Sequence, residues 1–176
     1  AAFEAAKAAL IAATPLAHPA PEAVLSLAAD ASDSHVGAVL QQWSGGAWQP
    51  LAFFSKKLDA TQLRYSTFDR ELLAIFLAIR HFRFLLEGRV FHVLTDHKPL
   101  VSALGRLSPP WSARQQRQLA FVAEFTADLR HTPGSANVVA DALSRPLAAQ
   151  LPSLVGRQVT NQPPPAVLGA GVVGVA

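Results

Sequence analysis

Four acidic side chains stand where they could act together on one substrate. Asp30 and Asp96 each directly follow an apolar run, while Glu71 lies near the start of a predicted long helix. Asp141 lies in a predicted short helix, and the 176-residue chain has only 12 acidic residues in all, so their positions are informative. Carboxylate oxygens suit hard cations such as Mg²⁺. The chain contains no Cys, which excludes disulfides, thiolate zinc sites and cysteine nucleophiles.

These carboxylates can cooperate only if the fold brings them to one place. Neighbouring strands lie about 4.8 Å apart, and the carboxyl ends of parallel strands form the edge where open α/β sheets bind ligands. Four converging carboxylates repel one another, and two divalent cations about 3.5–4 Å apart would relieve that repulsion and suit in-line attack on a phosphodiester. A single acid at a strand end is more often a turn former or a helix cap. Spacing alone therefore leaves both interpretations open.

The apolar pattern predicts the elements that would position these acids. Residues 24–145 are typical of a compact α/β domain in which a strand, a long helix and a strand imply a right-handed parallel crossover. Gly45 and Gly46 predict a hairpin turn, whereas Ser66 and Gly88 predict the start and the end of the long helix. The predicted strands are 24–29, 36–43, 48–55, 90–95 and 125–131, and the predicted helices are 67–87, 99–104, 111–124 and 136–144.

The two ends of the chain differ from its centre. Residues 1–22 begin with an Ala-rich predicted helix that stops near Thr14-Pro15, and we interpret them as the end of a preceding domain. Residues 23–146 are the predicted domain. Residues 147–176 have one charged residue, Arg157, and are broken by Pro and Gly, which predicts a linker or a disordered tail. Since the chain has no Met, we interpret it as a piece of a longer polypeptide.

Charge and hydropathy limit the possible partners. The formal net charge of +3 permits a polyanionic partner without requiring one. No apolar run reaches the roughly 18 residues that suggest a membrane span. We therefore expect no membrane partner, and no secretory signal is visible.

Four sequence motifs contain the four acids. They are LAADASD at 27–33, YSTFDRELLAI at 65–75, LTDHKPL at 94–100 and NVVADALSR at 137–145. These motifs resemble those of ribonuclease H domains from gypsy-type LTR retrotransposon reverse transcriptases, and they occur in the family's order. The resemblance extends over about residues 3–146, including the connection segment that precedes the domain. One departure is Ala29, where the family more often has Thr before the first Asp.

The resemblance implies a ribonuclease H-like α/β fold, with a five-stranded mixed sheet of order 3-2-1-4-5 flanked by helices. It implies that Asp30, Glu71, Asp96 and Asp141 hold two Mg²⁺ ions, for which Mn²⁺ can substitute. Asp30 would contact both ions, Glu71 and Asp96 would serve the leaving-group side, and Asp141 would serve the attacking water. His131, ten residues before Asp141, stands where cellular ribonucleases H have a histidine that assists proton transfer or product release. An ordinary strand-end histidine is the alternative.

The function that the resemblance implies is endonucleolytic hydrolysis of the RNA strand of RNA–DNA hybrids during reverse transcription. The expected partners are the hybrid, a polymerase and connection domain before this chain, and an integrase region after it, in an intracellular, cytoplasmic retroelement particle. One alternative is a catalytically silent nucleic-acid-binding or structural module of a decayed or domesticated element. It is favoured by the short segment 105–114, which holds only two arginines where cellular relatives have a basic protrusion. Another is a different nuclease of the same broad fold, such as an integrase or a transposase.

Overall fold

The computed structural model describes residues 16–104 and 111–145. Residues 1–15, 105–110 and 146–176 lie outside the described residues. They include the predicted N-terminal helix and the predicted tail. The strands are Leu25–Ala31 (β1), His35–Ser44 (β2), Ala47–Lys57 (β3), Phe91–Thr95 (β4) and Leu129–His131 (β5). The helices are Thr67–His81 (α1), Arg83–Leu86 (α2), Lys98–Ala103 (α3), Ala113–Phe125 (α4) and Val138–Leu143 (α5), and a 3-10 turn spans Gln62–Arg64.

The five strands form one mixed sheet in the order β3-β2-β1-β4-β5, which confirms the predicted topology. β2 pairs with β1 and β3 in antiparallel fashion, whereas β4 pairs with β1 and β5 in parallel. The predicted hairpin turn is also confirmed. Gly45 and Gly46 have φ angles of 62° and 78°, the positive values that a two-residue hairpin of this hand requires.

The side chains of the central strand β1 alternate between the two faces of the sheet. Helices pack against both faces. On one face Leu25 and Leu27 belong to the main core, together with Leu72 and Ile75 of α1. On the other face Ala28 and Val39 pack with Ala140 of α5 in a smaller cluster. The acidic residues of α1 and α5 are therefore carried on opposite sides of the sheet.

Several predicted boundaries were wrong. β1 continues to Ala31, so Asp30 lies within the strand instead of following it, because the pairing with β2 continues through Asp30 and Gly37. The predicted long helix is interrupted at Phe82, whose φ of −92° and ψ of 12° lie outside the helical range and whose ring packs against Phe54. β5 is only three residues long, because α4 takes up Phe125 and the pairing with β4 begins only at Leu129.

None of the helices in residues 16–104 and 111–145 is both long and apolar enough to cross a membrane.

Gly37 allows α5 to lie directly on β2, and replacing it is expected to separate the two elements. A Cβ at Gly37 would lie 2.4 Å from the Ser144 nitrogen, 2.5 Å from the Leu143 carbonyl carbon and 2.6 Å from the Ala140 oxygen. These are backbone atoms, so relief requires a shift of the whole helix. We expect Gly37→Ala to lower the free energy of unfolding by about 3 kcal/mol, measured by urea denaturation.

The matched control is Gly45→Ala, where an added Cβ would meet nothing within 4 Å and only the positive φ is unfavourable. It is expected to cost about 1 kcal/mol. Similar losses for the two variants would mean that the close approach of α5 is not important for stability.

Candidate active site

Three of the four predicted carboxylates meet at one edge of the sheet. The parallel register of β1 and β4 pairs Ala28 with Leu94, so Asp30 and Asp96, each two residues further on, leave the sheet at the same end. Asp30, Glu71 and Asp96 each offer an oxygen, and these oxygens all lie within 4.8 Å of one another. This spacing would allow the three side chains to share a cation.

Glu71 lies on α1, which begins at the predicted cap Ser66. The Ser66 hydroxyl accepts a hydrogen bond from the backbone nitrogen of Asp69 at 3.1 Å, and this fixes the first turn of the helix. Glu71 is only 4% exposed. Its Oε1 accepts a hydrogen bond from the Ala31 nitrogen at 3.2 Å, whereas its buried Oε2 has no hydrogen-bond partner.

The electrostatics of Glu71 fit a site for a positive ion. Burial, followed by the nearby charges of Asp30 and Asp96, raises the pKa of Glu71 to about 8. A buried carboxylate oxygen without a partner is costly unless something neutralises it. A divalent cation among the three carboxylates would do so, and oxygen ligands of this kind suit Mg²⁺.

Asp30 is held by a residue that the sequence analysis missed. The Ser144 hydroxyl, which is fully buried, donates a hydrogen bond to Asp30 Oδ2 at 2.5 Å. Burial raises the pKa of Asp30, and the charges of Asp96 and Asp141 add to that rise, although the bond from Ser144 opposes it. The sequence signals for Ser144 are its place in the fourth motif and its position three residues after Asp141, directly after α5 ends.

A second missed residue ties the loop after β5 to the site. The Asn137 side chain is buried and donates from Nδ2 to the carbonyl oxygen of Ala29 at 3.0 Å, directly before Asp30. The same loop brings Gly134 so close to Asp96 that a Cβ there would lie 3.1 Å from Asp96 Oδ2. Asn137 begins the fourth motif, and its type alone did not indicate this contact.

Asp141 lines the same cleft, of about 330 Å³, as the other three acids. It does not belong to the group of three whose oxygens lie within 4.8 Å. The guanidinium of Arg145, four residues later in the chain, holds it instead through contacts from Nε at 2.8 Å and from Nη2 at 2.5 Å to Asp141 Oδ1. The structure therefore brings the fourth acid to the cleft wall, paired with an arginine.

His131 occupies a different position from the four acids. It is exposed at the end of β5, opposite Thr95 of β4. It is not among the described residues that line the cleft. Its role in proton transfer or product release stays a prediction.

Comparison with known sequences places the chain near one family. Residues 1–93 match the model for the "RNase H-like domain found in reverse transcriptase". The "Transposon Tf2-3 polyprotein" of Schizosaccharomyces pombe is 41% identical over 122 residues. The alignment covers 68% of this chain and only 9% of that polyprotein.

Two solved structures share the fold at low sequence identity. The foamy viral protease-reverse transcriptase in complex with dsDNA matches with a TM-score of 0.55 at 18% identity, over 74% of this chain and 27% of that one. LC11-RNase H1 in complex with an RNA/DNA hybrid matches with a TM-score of 0.53 at 15% identity, over 69% of this chain and 93% of that one. At these identities the likeness establishes the fold alone.

Proposed function

The chain belongs to the RNase H-like domains found in reverse transcriptases, and we propose that it hydrolyses the RNA strand of RNA–DNA hybrids during reverse transcription. The observation that carries this proposal is the group of three carboxylates within 4.8 Å of one another, one of which, Glu71, has a buried oxygen without a partner. An acidic cluster of this kind could hold a divalent cation, and cation-dependent attack on phosphodiesters is the chemistry that it suits. Origin in a gypsy-type element stays a prediction.

We propose that the four acids hold two Mg²⁺ ions, for which Mn²⁺ can substitute. Divalent cations in such a site supply the positive charge that activates a water molecule and stabilises a leaving oxygen. Asp30 would contact both ions, Glu71 and Asp96 would serve the leaving-group side, and Asp141 would serve the attacking water.

The chain's own residues prepare the carboxylates for this task. Ser144 orients Asp30 by its hydrogen bond, and the Ala31 nitrogen orients Glu71. Because Asp30 and Glu71 are almost fully buried, little water competes for their oxygens. His131, exposed at the strand end, would assist proton transfer or product release from outside the cleft.

The substrate and partners are proposed on the same basis. A ribonuclease H of this fold has been captured with an RNA/DNA hybrid, and this supports the hybrid as the substrate here. The chain spans about a tenth of the polyprotein relatives that it matches. We therefore propose a polymerase and connection domain before it and an integrase region after it, within an intracellular, cytoplasmic retroelement particle.

Removal of the metal gives the direct test of this function. With a hybrid labelled on its RNA strand, the chain is expected to cut the RNA in the presence of Mg²⁺ and to lose all cutting in EDTA. Products should carry a 5′-phosphate and a 3′-hydroxyl. The same assay on a longer chain that includes the preceding domain separates weak substrate binding from a lack of chemistry.

Two outcomes would contradict the proposal. Hybrid binding without metal-dependent cutting, in both the short and the long chain, would favour the catalytically silent module. Equal cutting of single-stranded or duplex DNA would favour another nuclease of the same broad fold.

A further inference from the structure

Arg145 is a basic residue in a cleft that is lined by acidic side chains. The described residues that line the cleft include four acids, Asp30, Glu71, Asp96 and Asp141, and Arg145 is the only Lys or Arg among them. Its charge acts on two of those acids, because it contacts Asp141 directly and lowers the pKa of Asp30 at longer range. In this arrangement the guanidinium offsets part of the negative charge of the four acids.

The ion pair between Arg145 and Asp141 is weak enough for Arg145 to change partners. The Arg145 side chain is 53% exposed and the Asp141 side chain 22% exposed, so water screens the pair. Ion pairs of this kind contribute at most about 1 kcal/mol. Nε and Nη2 of Arg145 both contact one oxygen, Oδ1 of Asp141, so a cation that binds this oxygen competes with the guanidinium.

We propose that Arg145 is a nucleic-acid-binding residue with two alternative partners. It holds the Asp141 carboxylate in the metal-free protein, and it binds a phosphate of the substrate when divalent cations occupy the carboxylates. This inference rests on the proposed function, since it takes the same carboxylates as the cation site.

The chemistry of the cleft favours a phosphate as the second partner. The carboxylates repel a polyanion, and a positive group at the cleft wall would add to the attraction that bound cations provide for an entering strand. The planar guanidinium offers paired donors that match phosphate oxygens. The exposed side chain of Arg145 can turn from the wall towards a strand without unfolding α5.

A common structural explanation is that Arg145 only stabilises the end of a helix. Pairs of opposite charge four residues apart do this generally. Arg83 and Glu87 form such a pair at 3.4 Å, with both side chains largely exposed and neither lining the cleft. Arg83→Gln is therefore the matched control for Arg145→Gln.

The first measurement is cation affinity without nucleic acid. Calorimetric titration with Mg²⁺ or Mn²⁺ is expected to give about threefold tighter binding for Arg145→Gln than for the wild type, because the competitor for Asp141 is gone. Arg83→Gln should match the wild type. In the wild type, the NMR signal of the Arg145 Nε–H group should shift as Mg²⁺ is added, while that of Arg83 stays in place.

The second measurement is hybrid binding, given by KM in the cleavage assay. Arg145→Gln should raise KM about tenfold at low salt and reduce the slope of log KM against log salt by about one, as expected for one lost phosphate contact. Arg145→Lys should keep the slope, since it keeps the charge, and should lose part of the affinity. Urea unfolding checks that each variant retains the fold.

The outcomes separate this inference from the proposed function. If the wild type binds cations but neither the affinity of Arg145→Gln nor the Arg145 signal changes, the exchange is wrong and the nuclease proposal stands. If KM and its salt slope are unaffected, phosphate binding by Arg145 is wrong. If the wild type binds no divalent cation, the proposed function itself fails.

Discussion

Asp30→Asn is expected to lower the rate of RNA cleavage in an RNA–DNA hybrid by about a thousandfold or more. Asp30 is 8% exposed, and one of its carboxylate oxygens lies within 4.8 Å of oxygens of Glu71 and Asp96. Asn has nearly the same shape and its amide oxygen can still accept the hydrogen bond from Ser144. The substitution therefore removes negative charge without leaving a cavity, and single-turnover cleavage with Mg²⁺ measures the effect.

The matched control is Asp33→Asn, which removes a carboxylate from the same motif. The Asp33 side chain is 95% exposed and pairs with Arg70 at 2.8 Å, so its contribution to stability is small. Its cleavage rate is expected to stay within about twofold of the wild type. Full activity in Asp30→Asn would contradict the assigned site, and equal loss in both variants would indicate a general disturbance of the fold.

Glu71→Gln is expected to stabilise the metal-free protein and to remove its stabilisation by divalent cations. In the folded protein the pKa of Glu71 is about 8, above the usual 4.5. When folding raises the pKa of a carboxyl group, the group favours the folded state fully only below its pKa in the unfolded chain. That contribution to stability is lost as the pH rises through its pKa in the folded protein. In EDTA, the wild type should therefore lose about 1–2 kcal/mol of unfolding free energy between pH 7 and pH 8.5, and Glu71→Gln should lose clearly less.

The range from pH 7 to pH 8.5 was chosen so that the buried side chain of His92 has little effect on the measured stability. Burial is the main reason that the pKa of His92 falls to about 4, so His92 affects stability mainly as the pH falls below its usual value of 6.5. Urea unfolding at the two pH values, with and without Mg²⁺, measures both effects. Glu87→Gln, at an exposed position directly after α2, is the control and should keep the wild-type response to pH and to Mg²⁺. Identical pH profiles for Glu71→Gln and the wild type would contradict the prediction.

Local signals in the sequence predicted much of the fold correctly. Ser66 does cap α1, and Gly45 and Gly46 do form the hairpin turn, because these structures depend on a few neighbouring residues. The strand order also agreed, although the family resemblance and not the apolar pattern supplied it. Boundaries were less accurate, and β5 was predicted more than twice as long as it is. Strand ends depend on pairing partners, which local composition does not encode.

The sequence by itself excluded cysteine chemistry and supplied 12 acidic residues as candidate cation ligands. The family resemblance selected four of these acids. Only the tertiary structure decided how they are held. The hydrogen bond from Ser144 to Asp30 joins residues 114 positions apart, and that from Asn137 to Ala29 joins residues 108 positions apart. Such contacts exist only once β1, β4 and α5 have packed, because packing sets the distances between residues that are far apart in the chain. The same packing left His131 exposed outside the cleft and placed Asp141 against Arg145 on the cleft wall.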